Sequence, residues 1–268
     1  MKPPRLLDPN LPDRMAVGVC ALAVMTKAPK AGRVKTRLVP PLTPDEAAEL
    51  NKCFLRDTAA TISNACGGGL RPPTAAKERF HSSAHGAPLQ CRGIAVYTPV
   101  GAESAYTDIL PAGFSLLPQR GDEFGERLYF AVEDLFKCGF DSVCLIDSDS
   151  PTVPGESFAE AVELLSTSKD RVVLGPTDDG GYYLIGLKKP HGELFEQIDW
   201  STERVLNQTI ERATESGLEI KLLPTGYDVD DASDLRRLCD ELLGENAGDG
   251  VAPNTREFLV SIAGQNKL

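Results

Sequence analysis

A short apolar run at residues 17–25 constrains the fold more than any other feature of this sequence. The run contains almost no polar residue, so it predicts a parallel strand buried on both faces. It is too short to cross a bilayer, which takes about 20 apolar residues in a helix. A strand buried on both faces requires helices on both sides of its sheet, so we expect an α/β fold.

Apolar runs and helical patterns alternate along the rest of the chain. Residues 142–146 and 182–187 have the composition of buried strands. The segment that starts at Thr43 has the pattern of a capped helix start, with Pro44 in the first turn and Glu46 completing a capping box. This alternation predicts a mostly parallel sheet, in which ligands bind beyond the carboxyl ends of the strands.

The 268 residues are predicted to form one domain with a short extension. Residues 1–14 are polar and contain prolines, so we expect a flexible N-terminal tail. Residues 15–268 are expected to form a single domain. Within it, residues 66–92 contain consecutive glycines and consecutive prolines without apolar periodicity, which predicts a mobile insertion.

The charge and the cysteines limit the partners and the compartment. The net charge is −11, and such a field repels phosphodiester backbones and anionic lipid. We therefore expect neither nucleic-acid binding nor membrane insertion. The seven cysteines are widely spaced, and we interpret them as free, mostly buried thiols. With no apolar signal region near the N-terminus, this predicts a cytoplasmic location.

A basic loop follows the first predicted strand. Residues 27–37 contain five lysines and arginines, an unusual concentration on an acidic chain. Gly32 allows a ligand to approach the backbone, and the cationic side chains can neutralise phosphate oxygens. The loop is not a P-loop, because Val34 precedes Lys35 where that motif requires glycine. We interpret the loop as phosphate-binding; the alternative is a solvated basic loop.

Two pairs of aspartates are candidate metal ligands. Asp147 and Asp149 directly follow the predicted strand at 142–146, and residues two apart in extended backbone point the same way. Both carboxylates could therefore bind one divalent ion, although Asp and Ser also favour a simple turn. Asp228 or Asp230 could supply a second ligand from a distant part of the chain.

Three further features have both a functional and a structural interpretation. Asp179 could bind sugar hydroxyls or act as a base, although the local pattern alone favours a hairpin turn at Gly180 and Gly181. Arg127 stands near a helix start that could touch a nucleotide or only cap the helix. Trp200, the only tryptophan, begins a helix and could face a sugar or acceptor pocket.

Taken together and in this order, the motifs resemble a bacterial glycosyltransferase family of GT-A, or nucleotide-diphospho-sugar transferase, fold. Some members of that family are labelled arsenosugar biosynthesis or radical-SAM-associated transferases. The resemblance runs from about Val19 to Leu238, interrupted at residues 66–92. The matching segments are residues 27–32, 35–38, 125–127, 149–151, 175–176, 179–187, 200–202, 228–230 and 234–235. It implies a Rossmann-like three-layer α/β/α sandwich with a mostly parallel mixed sheet.

The resemblance also implies an activity. We expect metal-dependent transfer of a glycosyl group from a nucleotide-diphosphate sugar to a small acceptor, with Mg²⁺ or Mn²⁺ as the ion. One alternative is a guanylyl- or cytidylyl-type nucleotidyltransferase that releases pyrophosphate from a nucleoside triphosphate, since its fold and motifs would look the same. Another is a non-catalytic nucleotide-binding protein.

Site roles follow from the resemblance together with the loop interpretations. Asp149 and Asp230 are expected to bind the metal ion, and Lys35 to act with Asp149 and Asp179 in catalysis. The expected nucleotide-binding residues are Lys27, Gly32, Lys35, Arg37, Arg127 and Asp147. The expected acceptor or sugar residues are Asp179, Gly180, Gly181, Tyr182 and Trp200.

The sequence departs from the family pattern at two places. The family usually has glycine at the position of Asp147, so this chain has an additional carboxylate beside the expected metal ligand. In the segment before Arg127, Glu123 and Phe124 stand where the family has a leucine, with one residue added.

Overall fold

One mixed sheet organises the part of the chain that the computed structural model describes, which is residues 4–67, 90–245, 248 and 250–264. Its strands are β1 (Arg5–Leu6), β2 (Cys20–Lys27), β3 (Cys91–Thr98), β4 (Ser115–Pro118), β5 (Ser142–Ile146), β6 (Arg171–Pro176), β7 (Tyr182–Leu187) and β8 (Glu219–Leu222). Their order is β1-β4-β3-β2-β5-β7-β6-β8. Every neighbouring pair is parallel except those of β7, which is antiparallel to β5 and β6.

Helices cover both faces of this sheet. They are α1 (Pro44–Cys66), α2 (Phe124–Lys137), α3 (Gly155–Ser166), α4 (Val205–Glu215), α5 (Ala232–Leu243) and α6 (Pro253–Ala263). The apolar sides of α1 and α3 pack on one face, and those of α2 and α4 pack on the other. The predicted three-layer α/β/α architecture with a mostly parallel mixed sheet is confirmed. No helix in the described ranges is long and apolar enough to span a membrane.

A third apolar cluster lies outside the two sheet faces. It joins α5 and α6 to α1 and to the loop that follows β2. Leu38 and Val229, each completely buried, belong to this cluster together with Leu259 of α6. The two C-terminal helices are therefore part of the same packed body as the sheet.

The N-terminal segment differs from the predicted tail. Arg5 and Leu6 pair in parallel with Ser115 and Leu116 of β4 at the edge of the sheet. Leu7 is buried, and its backbone N–H donates to the Leu116 carbonyl at 2.8 Å. The sequence does not reveal β1 because two residues are too few to show a strand period.

The predicted insertion at 66–92 falls mostly on residues 68–89, which lie outside the described residues. At its ends, α1 continues to Cys66 and β3 begins at Cys91. These two cysteines form a disulfide, with Cα atoms 5.0 Å apart. The interpretation of all seven cysteines as free thiols is therefore wrong for this pair, while the other five are free. The pairing was not visible in the sequence because their approach depends on the register of α1 on β3.

Asp57 of α1 holds the start of α6 in place. Its buried carboxylate accepts hydrogen bonds from the backbone N–H groups of Asn254 and Thr255, at 3.0 and 2.8 Å, and from both of their side chains. These backbone groups are in the first turn of α6, where a helix has no partners of its own. The helix N-terminus also favours the negative charge.

We expect Asp57→Ala to lower the free energy of unfolding by about 2–3 kcal/mol, because buried donors lose a charged acceptor. Urea unfolding followed by circular dichroism measures the change. Asn64→Ala, at an exposed position of the same helix, should stay within about 0.5 kcal/mol of the wild type. An Asp57→Ala protein as stable as that control would contradict the assignment.

Candidate active site

Loops from distant parts of the chain meet at the carboxyl edge of the sheet. They follow β2, β5 and β8, and because β7 is antiparallel, the turn at 177–181 that precedes it lies at the same edge. The Val229 N–H donates to the Asp149 carbonyl at 3.0 Å, which ties the loop after β8 to the loop after β5. Thr177 and Gly226 form an isolated parallel bridge that joins the turn to the loop after β8.

Lys35 lies at the centre of these loops. Its ammonium donates to the Val229 carbonyl at 2.7 Å and forms ion pairs with Asp149 at 2.9 Å and Asp230 at 3.2 Å. Only 5% of its side chain is exposed, and Phe54 lies beneath it with the ring centroid 5.6 Å from Nζ. The ammonium therefore brings together carboxylates 81 residues apart in the sequence (positions 149 and 230).

The backbone of Lys35 is in the left-handed region, with φ of 45°. That conformation costs a non-glycine residue about 1–2 kcal/mol, so it persists only where other contacts hold it. The two ion pairs supply such contacts. Burial by itself lowers the pKa of Lys35, but the Asp149 and Asp230 carboxylates more than offset it, and the pKa is raised. Lys35 is therefore a fixed positive charge.

A second pair of carboxylates lies beside the first. The Ser150 hydroxyl is 2.8 Å from Asp147 and 2.7 Å from Asp228. One hydroxyl has a single hydrogen, so both contacts are satisfied only when one carboxyl group is protonated. Burial, then repulsion by Asp228 and Asp149, raises the pKa of Asp147 well above its usual value. Burial likewise raises the pKa of Asp228 to about 6.

The raised pKa of Asp228 predicts a pH-dependent stability. Between pH of about 4 and about 6 the folded chain keeps a proton that the unfolded chain has lost, so stability falls as the pH rises through this window. Asp228→Asn removes the penalty. We expect its free energy of unfolding, relative to the wild type, to be about 2 kcal/mol more favourable at pH 7 than at pH 4.

This difference is measured by urea unfolding at both pH values in the presence of EDTA. Asp141→Asn, at an exposed position just before β5, is the matched control and should show no such pH dependence. Equal effects of the Asp228 substitution at the two pH values would contradict the assigned pKa.

The site opens into two adjoining cavities. The larger, which we call the acidic cavity, has a volume of about 410 Å³ and is lined by six carboxylates: Asp147, Asp149, Asp179, Glu203, Asp228 and Asp230. The smaller, the basic pocket, has a volume of about 270 Å³ and is lined by Lys27, Arg33, Lys35 and Arg37. Arg37, Asp149 and Asp230 line both, so the cavities meet at the Lys35 ion pairs.

The residues present fit a hard divalent cation. Asp149 Oδ1 and Asp230 Oδ1 lie within 3.2 Å of a single point, the Lys35 Nζ, so two carboxylate oxygens converge on one position for a positive charge. In the described part of the chain, no three His, Cys, Asp or Glu residues are grouped as a complete metal site. Mg²⁺ commonly takes only one or two protein carboxylates and completes its shell with water and substrate phosphates, so two ligands match its usual number, and an ion at this point would displace the Lys35 ammonium.

Most of the predicted site residues come together. Lys27, Lys35 and Arg37 line the basic pocket, while Asp147, Asp179, Gly181, Tyr182 and Trp200 line the acidic cavity with the expected metal ligands. Gly32 and Gly180 line neither; they have φ of 71° and 90° in the loops between. Arg127 also lines neither, and its Nε is buried without a hydrogen-bond partner.

Several residues of the site were not predicted. Asn51 of α1 reaches the basic pocket, and its buried Oδ1 has no hydrogen-bond partner. Nothing in the helical pattern around Asn51 distinguishes it from a core position. Ser150 follows the aspartate pair in the sequence, but its contact with Asp228 depends on the tertiary structure. Phe124, at the departure from the family pattern, packs edge-to-face on Trp200 with ring centroids 5.3 Å apart.

The chain is similar to one family of sequences and to several solved structures. The family model described as "Uncharacterized protein conserved in bacteria (DUF2064)" matches residues 86–202. The solved structure of a "putative nucleotide-diphospho-sugar transferase" from Desulfovibrio desulfuricans G20 is 26% identical, with a TM-score of 0.71. The match covers 91% of this chain and 98% of that chain. No curated protein matches the chain.

More distant structures share the fold alone. A CMP:2-keto-3-deoxy-manno-octonic acid synthetase complexed with CTP is 11% identical, with a TM-score of 0.50 over 84% of this chain and 99% of its own. A 4-diphosphocytidyl-2C-methyl-D-erythritol synthase from Anaerococcus prevotii DSM 20548 is 12% identical, with a TM-score of 0.51 over 86% and 99%. The predicted resemblance to the nucleotide-diphospho-sugar transferases is confirmed.

Proposed function

From this resemblance and fold, we propose that the chain is a metal-dependent transferase that moves a glycosyl group from a nucleotide-diphosphate sugar to a small acceptor. One observation carries the proposal. Asp149 and Asp230, from separate loops, converge on one position for a positive charge where the basic pocket meets the acidic cavity. A nucleotide diphosphate needs cationic side chains and a metal ion next to each other, and this junction provides for both.

Within this proposal, Mg²⁺ or Mn²⁺ bound by Asp149 and Asp230 would neutralise charge on the leaving nucleoside diphosphate. Lys35 is ion-paired to both carboxylates, so it would compete with the ion for them, and it adds a positive charge beside the diphosphate. Arg37, whose side chain is 69% exposed, is free to turn from Asp230 towards a phosphate. Such preorganised charges act where negative charge develops in the transition state.

Asp179 has a separate role on the acceptor side. Its Oδ1 accepts hydrogen bonds from the Thr177 hydroxyl at 2.6 Å and the Gly181 N–H at 3.0 Å, which fix the carboxylate at the cavity wall. Among the described residues, nothing donates a hydrogen bond to Oδ2. We assign Asp179 to hold an acceptor hydroxyl and to accept its proton as the new bond forms.

Product analysis tests the proposal. Incubation with a panel of sugar nucleotides, Mg²⁺ or Mn²⁺ and small polyols should release nucleoside diphosphate. The alternative, nucleotidyl transfer, has the support of the fold shared with the cytidylyltransferases. It would instead release pyrophosphate from nucleoside triphosphates. Ion-dependent thermal stabilisation by nucleotides without either product would favour a non-catalytic binding protein. The predicted cytoplasmic location stays a prediction.

A further inference from the structure

We infer that the acidic cavity admits an uncharged or amine-bearing polyol and rejects groups that carry a phosphate or carboxylate. This inference rests on the proposed function and names the chemical class of its acceptor. It follows from the contrast between the two cavities, which adjoin but have opposite charge.

The charged side chains that line the acidic cavity are almost all negative. Of the described residues that line it, Arg37 is the only basic one, and it lies at the junction within 3.9 Å of the carboxylates of Asp230 and Asp231. An anionic group beside Asp179, Glu203 and Asp228 would find no other basic residue in the described lining of the cavity. Each like-charge contact at 4 Å costs about 1–4 kcal/mol, depending on the local dielectric.

The carboxylates that line the acidic cavity lie close to one another. The Ser150 hydroxyl lies 2.8 Å from Asp147 and 2.7 Å from Asp228, so two carboxyl groups flank this one hydroxyl. A metal ion at the junction would relieve Asp149 and Asp230. It would leave Asp179 and Glu203, which also line the cavity, to meet the acceptor. Hydroxyl and ammonium groups on an acceptor can donate hydrogen bonds to these carboxylates. An ionised phosphate or carboxylate on the acceptor has no hydrogen to donate to them.

Part of the cavity lining is aromatic. Phe124 and Trp200 form an edge-to-face pair, and Phe124 is 49% exposed. Gly125 allows this arrangement, because a Cβ at that position would lie 2.5 Å from the Trp200 Nε1. Aromatic faces pack against apolar surface and attract cations. The cavity thus suits a ring with hydroxyl or amine groups on one edge and C–H groups on one face.

Trp200 provides a direct measurement, since it is the only tryptophan in the chain and it lines the cavity. We propose fluorescence titrations with four hexoses that differ at one carbon: glucose, 6-amino-6-deoxyglucose, glucuronate and glucose 6-phosphate, all at a fixed Mg²⁺ concentration. Glucose and the amino sugar should change the Trp200 signal saturably. Their apparent Kd should be at least about 10-fold lower than those of the two anions, a ratio that about 1.4 kcal/mol produces.

A charge reversal sharpens the test. Glu203→Lys, at an exposed cavity position, should reduce the preference for glucose over glucuronate several-fold, whereas Glu211→Lys, exposed on α4 away from the cavity, should leave it unchanged. Equal or tighter binding of the anions to the wild type, or no response to any of the four hexoses, overturns the inference.

The titration requires neither a donor nor turnover, so the two proposals can fail separately. Selective binding of glucose and the amino sugar with no release of nucleoside diphosphate would overturn the proposed function alone. Release of nucleoside diphosphate together with tight binding of the anions would overturn the inference alone.

Discussion

Asp149→Asn should lower the rate of nucleoside diphosphate release about 100- to 1000-fold. The substitution keeps the shape of the side chain but removes the charge that a metal ion at the junction requires, and losing one preorganised electrostatic contact costs about this much. It also removes the ion pair to Lys35 at 2.9 Å. Initial rates at saturating sugar nucleotide, with Mg²⁺ varied, measure the effect.

The same variant should lose the ion-dependent part of the thermal stabilisation by nucleotides. Asp141→Asn is the matched control, because it lies at the other end of β5 and is exposed there. It should retain both rate and stabilisation. Full activity of the Asp149→Asn enzyme, with its Mg²⁺ dependence intact, would refute the metal assignment.

Lys35→Met should move two properties in opposite directions. The rate of nucleoside diphosphate release should fall about 100-fold, because a fixed charge beside the diphosphate is lost. Mn²⁺ binding to the protein without nucleotide should tighten about 10-fold, because Asp149 and Asp230 would no longer be neutralised by an ammonium at 2.9 and 3.2 Å. Their side chains are 35% and 46% exposed, so solvent screening limits this gain.

Calorimetric titration with Mn²⁺ and steady-state rates measure the two changes. Lys30→Met removes an exposed charge from the same loop and should change neither by more than about 2-fold. If Lys35→Met weakened Mn²⁺ binding, Lys35 would be a support for the metal ligands rather than a competitor for them.

The sequence predicts the sheet better than the direction of its strands. Buried strands such as β5 and β7 were predicted at their observed bounds because long apolar runs leave few alternatives. The antiparallel direction of β7 depends on the short turn at 177–181, for which hairpin and ligand-binding interpretations competed. The structure supports the hairpin, and the same turn places Asp179 at the cavity.

The candidate site was predicted where its residues cluster locally, and missed where it depends on packing. Lys27, Lys35 and Arg37 stand together in one basic loop, so their charge is visible in the sequence. Asn51 belongs to α1, whose apolar pattern indicates only which side of the helix faces the core. Only the packing of α1 against the loop after β2 brings its amide to the basic pocket.

The cluster that buries Leu38 and Val229 has a mechanical consequence. Leu38 lies three residues after Lys35, and Val229 lies directly before Asp230. The packing of this one cluster therefore sets the distance between the Lys35 ammonium and the Asp230 carboxylate. Closely packed interiors transmit volume changes. Leu259 of α6 belongs to the same cluster but lines neither cavity. Its truncation would therefore change the distance between the Lys35 ammonium and the Asp230 carboxylate without altering any residue of the site.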